Sequence, residues 1–202
     1  MTVAIAKPVA PETQQENSKK ITFEEFLEFD DGLDNSFYEL ENGELIPMPL
    51  ESEINRRIVS FLFVYFAQLG IPYYRLSNKT EIAVHSQRVG VRIPDFAIFS
   101  EELAAVMQGA KRSLVMLDMP APELVVELVS PNQENRDYRY KRSEYAARGI
   151  LEYWVVDTIA EKVTLFQWVE GFYDEFVFTG DMLINSPLLG KLALTAAQVL
   201  QG

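Results

Sequence analysis

Two aliphatic runs decide the fold: Glu123-Leu124-Val125-Val126-Glu127-Leu128-Val129-Ser130 and, after a polar stretch ending at Gly149, Glu152-Tyr153-Trp154-Val155-Val156-Asp157. The first is apolar on both faces, which predicts a strand inside a sheet, ended by Pro131-Asn132. The polar stretch, residues 134–148, predicts a helix closed by Gly149, and the second run is again a strand. Strand, helix and strand in that order predict a right-handed crossover between parallel neighbours.

Upstream, residues 91–99 and 73–84 each read as a strand, joined through the polar turn at residues 87–90. Residues 52–69 carry Ile54, Ile58, Leu62, Tyr65, Phe66 and Leu69 at a 3.6-residue period, a helix stopped by Gly70 and Pro72. Phe37-Tyr38-Glu39-Leu40-Glu41, Asn42-Gly43 and Glu44-Leu45-Ile46 form a hairpin with positive φ at the turn. Thr22 and Glu25 have capping-box spacing ahead of a short helix. Downstream, residues 163–169 and 172–179 pair as a second hairpin about Glu170-Gly171, and residues 192–195 lead into a short C-terminal helix. Residues 101–121 read as a connection. The expected class is α/β (α+β): a mixed central sheet flanked by helices, with hairpins added at both ends. Residues 1–21 read as a disordered tail and 22–202 as one domain.

Composition narrows the chemistry. The 202 residues include no cysteine and one histidine, His85, so disulfides, thiolate nucleophiles and two-imidazole metal sites are excluded. The longest apolar run, residues 61–67, is far short of the ~20 residues that cross a bilayer, and no basic segment precedes residues 3–6 as in a secretory signal. The expectation is a cytoplasmic protein without a membrane span. Eighteen Lys and Arg against 30 Asp and Glu give a net charge of −12, which disfavours non-specific attraction to nucleic acid unless positive charge is locally concentrated.

Two carboxylates stand on otherwise apolar strand faces: Asp95 with Val91, Ile93, Ala97 and Phe99, and Glu127 between Val125 and Val129. A buried carboxylate needs a cation, a salt bridge or a proton. A shared divalent ion, Mg²⁺ or Mn²⁺, meets that need and activates water beside a phosphate; pairing with arginines or strand-end hydrogen bonds meets it structurally. Lys141 falls within the inward stripe of Tyr138, Tyr145 and Gly149, where a lysine is uncommon. It either reaches the carboxylates or snorkels to solvent. Arg136, Arg139, Lys141, Arg142 and Arg148 concentrate five of the 18 basic residues in residues 136–148. With Glu134, Asp137 and Glu144 beside them, that segment reads either as a phosphate-binding patch or as a solvated, salt-bridged helix face. His85 carries no assignment. No Gly-rich phosphate loop, nucleophile elbow or dinucleotide fingerprint is present.

Taken together, residues 38–45, Val91-Arg92-Ile93-Pro94-Asp95, residues 122–131, Arg136-Asp137 with Lys141 and Tyr145, and residues 149–157 resemble the Uma-type endonuclease family over about residues 22–195. That family resembles the PD-(D/E)xK restriction-endonuclease-like superfamily, whose core order of helix, three strands, helix and strand agrees with the reading above. The resemblance implies Asp95 and Glu127 as metal ligands and Lys141 as the catalytic lysine, moved from strand to helix because Val129 occupies the usual position. Asn55 stands where the family often has a histidine. Glu44 or Glu53 would be the additional acid, and Arg136, Arg139 and Arg142 phosphate contacts. The implied function is Mg²⁺- or Mn²⁺-dependent hydrolysis of DNA phosphodiesters by water, with weak, salt-sensitive DNA binding and a homodimer. The alternative is a catalytically inactive module for protein association or DNA binding. The acidic surface, the missing histidine and the C-terminal aromatics Phe166, Trp168, Phe172, Tyr173, Phe176 and Phe178 point to that alternative.

Overall fold

The computed structural model describes residues 20–32, 37–129 and 136–202. The proposed N-terminal tail as far as residue 19, the strand stop at Pro131-Asn132 and the helix start at Glu134 lie outside the described residues.

Helix α1 (Phe23–Leu27) opens on the expected capping box: Thr22 Oγ1 accepts the Glu25 N–H while the Glu25 side chain accepts the Thr22 N–H. Strands β1 (Tyr38–Glu41) and β2 (Glu44–Pro47) form the hairpin, with Asn42 and Gly43 at φ of 51° and 87°. Helix α2 (Glu53–Gln68) starts where Ser52 Oγ accepts the Asn55 N–H. A 3₁₀ turn (Tyr73–Arg75), β3 (Leu76–Ser77), β4 (Glu81–His85), β5 (Val89–Arg92) and β6 (Phe96–Ile98) follow, then α3 (Glu101–Met107) and β7 (Leu114–Val115). Strand β8 (Leu124–Leu128) leads to a wide π-type turn (Arg136–Lys141) and α4 (Arg142–Arg148), which Gly149 closes at φ 79°. The chain ends with β9 (Glu152–Asp157), β10 (Lys162–Val169), β11 (Phe172–Thr179), β12 (Leu183–Ser186), β13 (Gly190–Thr195) and α5 (Ala196–Gln201). Among the described residues no helix is long and apolar enough to cross a membrane.

The parallel pairing and the intervening helix are as expected. Strands β8 and β9 are parallel neighbours, with Glu127 opposite Val155, and α4 lies between them in sequence. The mixed α/β class holds, but the strands divide among three sheets ordered β11-β10-β9-β8-β6-β3, β2-β1-β5-β4-β7 and β12-β13.

The division has a local cause. Residues 91–99 are two strands because Pro94 supplies no N–H for a ladder and restricts Ile93 before it; β5 pairs with β1 and β4, whereas β6 pairs with β3 and β8. Residues 73–84 likewise break into a 3₁₀ turn and two strands around Lys79, at φ 56°. The connection at residues 101–121 contains α3 and β7, whose short patterns lacked a clear period. Strand β1 approaches β5 so closely that a Cβ on Gly90 would lie 2.7 Å from the Leu40 carbonyl oxygen, so only glycine fits that pairing.

Strand alternation then sets the layers. Val126, Leu128, Trp154 and Val156 face α2 and α5, burying against Ile58, Leu62, Phe66 and Val199. Val125, Val129, Tyr153 and Val155 face α4, against Tyr145 and Ala146. Glu127 shares the parity of Val125 and Val129 and so points toward α4. Of the C-terminal aromatics, Phe166, Tyr173 and Phe178 are core residues, and Trp168 donates its Nε1–H to the Ala146 carbonyl at 2.9 Å. Only Phe172 and Phe176 remain exposed, so most of the expected aromatic interaction surface is hairpin packing.

Candidate active site

Glu127 is 3% exposed and receives two donors from the helical segment that follows it. Tyr145 Oη donates to its Oε1 at 2.6 Å, and Lys141 Nζ lies 2.8 Å from its Oε2. Their spacing explains how they arrive together: Asp137, Lys141 and Tyr145 are each four residues apart, so all three fall on the inward face, with Asp137 and Lys141 3.3 Å apart in the π-type turn one turn ahead of Tyr145. Lys141 does not snorkel; it is 4% exposed, and its third carboxylate neighbour is Glu39 of β1 at 3.4 Å.

Asp95 sits in the gap that Pro94 opens between β5 and β6. Its Oδ2 accepts the Leu128 N–H at 2.7 Å, while its Oδ1 takes no partner among the described residues. Asp95, Glu127, Asp137 and Lys141 all line one cavity of about 900 Å³, walled by residues 47–52, Ile93-Pro94 and Thr158-Ile159.

Behind this cavity is an ion network. Arg92, 1% exposed, grips Glu144 through Nε at 2.6 Å and Nη2 at 2.9 Å, and its Nη1 reaches Glu39 at 3.1 Å and Glu41 at 2.7 Å. Arg136 binds the same two acids at 2.6 and 3.0 Å. Glu39 Oε1 also accepts the Ile93 N–H at 3.1 Å.

The network separates the carboxyls by charge state. Burial works against the Glu39 carboxylate, but Lys141, Arg92 and Arg136 outweigh it and hold its pKa at about 2. Burial dominates at Glu127, which is pushed up to about 8 despite Lys141, and at Asp95, which rises to about 6. Asp137 rises for the same reason. Lys141 gains from Glu127, Glu39 and Asp137 more than burial takes away, so its pKa is raised and it stays an ammonium. The site therefore pairs one firmly ionised acid and one firm cation with three carboxyls, Glu127, Asp95 and Asp137, that burial pushes toward the protonated form.

A family model described as "Putative restriction endonuclease", Uma2, matches residues 23–197. The chain belongs to the Uma2 family. A crystal structure titled as a putative nuclease belonging to DUF820, from Anabaena variabilis ATCC 29413, superposes with a TM-score of 0.71 at 18% identity, covering 89% of this chain and 97% of that one. That likeness carries the fold. No curated protein matches the chain.

In this Uma2 chain the other residues singled out from sequence are placed as follows. Neither Glu44 nor Glu53 lines the cavity: Glu44 is exposed and 3.9 Å from Lys20, and Glu53 is exposed and gripped twice by Arg56. The further acids at the site are Asp137 and Glu51, which line the cavity, and Glu39 behind it. Of the phosphate candidates, Arg136 is bound to Glu39 and Glu41, and Arg142 to Glu175 and the Tyr173 carbonyl while stacking 4.4 Å from the Phe166 ring centroid. Arg139 is exposed and makes no ion pair among the described residues. Asn55 lines the cavity.

Sequence reading missed Glu39, Arg92, Glu144 and the part Tyr145 plays. The available signal was the alternation of Glu39 and Glu41 about Leu40 beside a second alternation of Arg92 between Val91 and Ile93. Those two strands meet with Leu40 opposite Val91, so the charged positions fall on one shared side.

The donor set fits a hard divalent cation. Asp95 and Glu127 offer carboxylate oxygens, one without a partner, in a place where burial has left both acids undercharged. Among the described residues no group of three or more His, Cys, Asp or Glu side chains is arranged to hold a metal, so such a cation would take two protein carboxylates and complete its shell with water and substrate.

Proposed function

We propose that this Uma2-family chain is a Mg²⁺- or Mn²⁺-dependent endonuclease that hydrolyses DNA phosphodiesters. The observation that carries this reading is the entry of Asp95, Glu127 and Lys141 into one cavity, with Lys141 held charged 2.8 Å from Glu127 and with burial raising the pKa of both acids. Asp95 and Glu127 would hold the metal, which when bound supplies charge to offset the phosphate and lowers the pKa of water. Lys141 offers ammonium hydrogens to an attacking water or a phosphate oxygen. Tyr145 fixes the rotamer of Glu127 through its 2.6 Å hydrogen bond, and Glu39 keeps a permanent anion beside Lys141.

A non-catalytic DNA-binding or association module is the second reading. It is favoured by Lys141 lying against carboxylates on three sides and by Arg136 and Arg142 being committed to acids.

Incubation of purified protein with supercoiled and single-stranded DNA at low ionic strength, with Mg²⁺, Mn²⁺ or EDTA, separates the two. Cleavage only with the metals, lost in Asp95→Asn and Glu127→Gln variants of unchanged circular dichroism, supports the nuclease. Absence of cleavage together with no calorimetric Mn²⁺ binding supports the module. Equal cleavage by wild type and Asp95→Asn marks a contaminating nuclease and rejects the assignment of Asp95.

A further inference from the structure

We infer that the DNA strand this cavity accepts is unpaired: the substrate class is single-stranded DNA, not intact duplex. The inference rests on the nuclease reading of the site and adds the form of its substrate.

The reactive groups are recessed. Glu127, Asp137 and Lys141 are each at most 4% exposed, whereas the walls of the same cavity carry apolar side chains open to solvent: Leu50 at 99%, Ile159 at 61% and Phe37 at 41% exposure. Duplex DNA is a stiff rod with a persistence length of about 150 bp, and its phosphates ride on the outside of that rod. Lowering one phosphate to a recessed ammonium would require the rod to bend into a 900 Å³ cavity. A single strand bends within a few nucleotides and can follow its phosphate inward.

The walls point the same way. Paired bases keep their faces stacked inside the helix and offer nothing to the Phe37 ring, whereas an unpaired base presents a face on which that ring stacks, with apolar Leu50 and Ile159 beside it. The charge inventory agrees. Tight duplex binding rests on several phosphate contacts by free cations. Among the described residues the cations lining the cavity are Lys141 and Lys79, and Lys79 stands 3.7 Å from Glu51 and over the Phe37 ring. Outside the described residues, 33–36 and 130–135 contain no Lys or Arg and 1–19 contain Lys7 and Lys19, and the chain carries a net −12.

The test uses the full chain and a fluorescein-labelled 20-nucleotide DNA, alone and annealed to its complement. Anisotropy is read in EDTA at low salt, and cleavage of both forms in Mn²⁺. The single strand should bind at least tenfold more tightly than the duplex. Phe37→Ala should weaken single-strand binding about tenfold and leave duplex binding unchanged. This substitution keeps the backbone bond at that position, Met48 N–H to the Phe37 carbonyl at 2.9 Å, and removes the Lys79 contact 5.5 Å from the ring, so unchanged circular dichroism of the variant is part of the test. Equal binding of the two forms, equal weakening of both by Phe37→Ala, binding of neither, or cleavage of duplex as fast as single strand would overturn the inference. Single-strand preference without cleavage would refute the nuclease reading and leave the strand preference standing; cleavage without strand preference would do the reverse.

Discussion

Lys141 Nζ lies 2.8 Å from Glu127 Oε2, joining the turn before α4 to the middle of the sheet it covers. The same ammonium is within 3.4 Å of both Glu39 and Asp137, so it is the shared counter-charge of three buried acids. Removing one partner of a buried ion pair costs about 3–5 kcal/mol, because the remaining acid must stay buried as an unpaired charge or take up a proton. Lys141→Met should therefore lower the free energy of unfolding at pH 7 by that amount, and Lys141→Arg by less, as read from urea denaturation. A Lys141→Met protein as stable as wild type would mean that the ammonium is not the counter-charge the geometry makes it.

Glu39 gives stability a pH dependence with a definite sign. Its folded pKa, near 2, lies below the ordinary 4.5, so its contribution is fully present above about pH 5 and is lost as pH falls toward 2. The groups facing it are Arg92 of β5, Arg136 and Lys141 of the π-type turn, and the Ile93 N–H. Glu127 and Asp95, with raised values, act in the opposite direction, since protonation relieves them. The difference between wild type and Glu39→Gln isolates the Glu39 part: it should be greatest above pH 5, on the order of 3 kcal/mol, and vanish near pH 2 in urea titrations. A difference independent of pH would show that Glu39 is not held ionised by these cations.

The crossover and the parity of Glu127 were legible because an unbroken aliphatic run flanked by a polar helix admits few alternatives. Lys141 was legible as an anomaly, a charge within an inward stripe. Arg92 was not, because it ends β5 between buried Val91 and Ile93; the alternation of one strand cannot reveal a charge that is offset by acids on β1 and α4. The π-type turn hides for a similar reason. A 3.6-residue template sets Asp137 beside Lys141 on the flank of the inward stripe but does not show that the wider turn buries it there.

Glu152 makes a third, independent prediction about stability. This buried carboxylate accepts from Trp154 Nε1 at 2.6 Å, Ser186 Oγ at 2.8 Å and the Leu188 N–H at 3.1 Å, tying the β12–β13 hairpin to β9. Glu152→Ala would orphan buried donors at about 1–3 kcal/mol each. The loss should appear in hydrogen exchange as faster exchange across residues 183–195, with the β8–β9 amides protected at low denaturant. Uniform acceleration over both regions would contradict a local anchoring role.

Cleavage assays should rank the acids by position in the structure. Glu44 and Glu53 are exposed and outside the cavity, so Glu44→Ala and Glu53→Ala should retain activity within about twofold of wild type, as surface substitutions away from a site ordinarily do. Glu39→Gln and Asp137→Asn, which alter the surroundings of Lys141, should reduce kcat by at least about tenfold. The reverse order would restore Glu44 or Glu53 as the additional acid.

The three arginines should behave in three different ways. Arg136 shares Glu39 and Glu41 with Arg92, so Arg136→Ala leaves a buried acid with one cation fewer and should destabilise the fold before any effect on DNA is visible. Arg142 caps the Phe166 ring and holds Glu175 and the Tyr173 carbonyl, so Arg142→Ala should loosen α4 against β11. Arg139 is exposed and has no ion pair among the described residues, which leaves its charge available to a phosphate. Arg139→Ala should change stability by no more than about 0.5 kcal/mol. If Arg139 meets a phosphate, the slope of log K against log salt for a bound single strand should fall by about 0.7. Anisotropy titrations at several salt concentrations give that slope directly, and an unchanged slope would remove Arg139 from the DNA path and leave Lys79 and Lys141 as its cations.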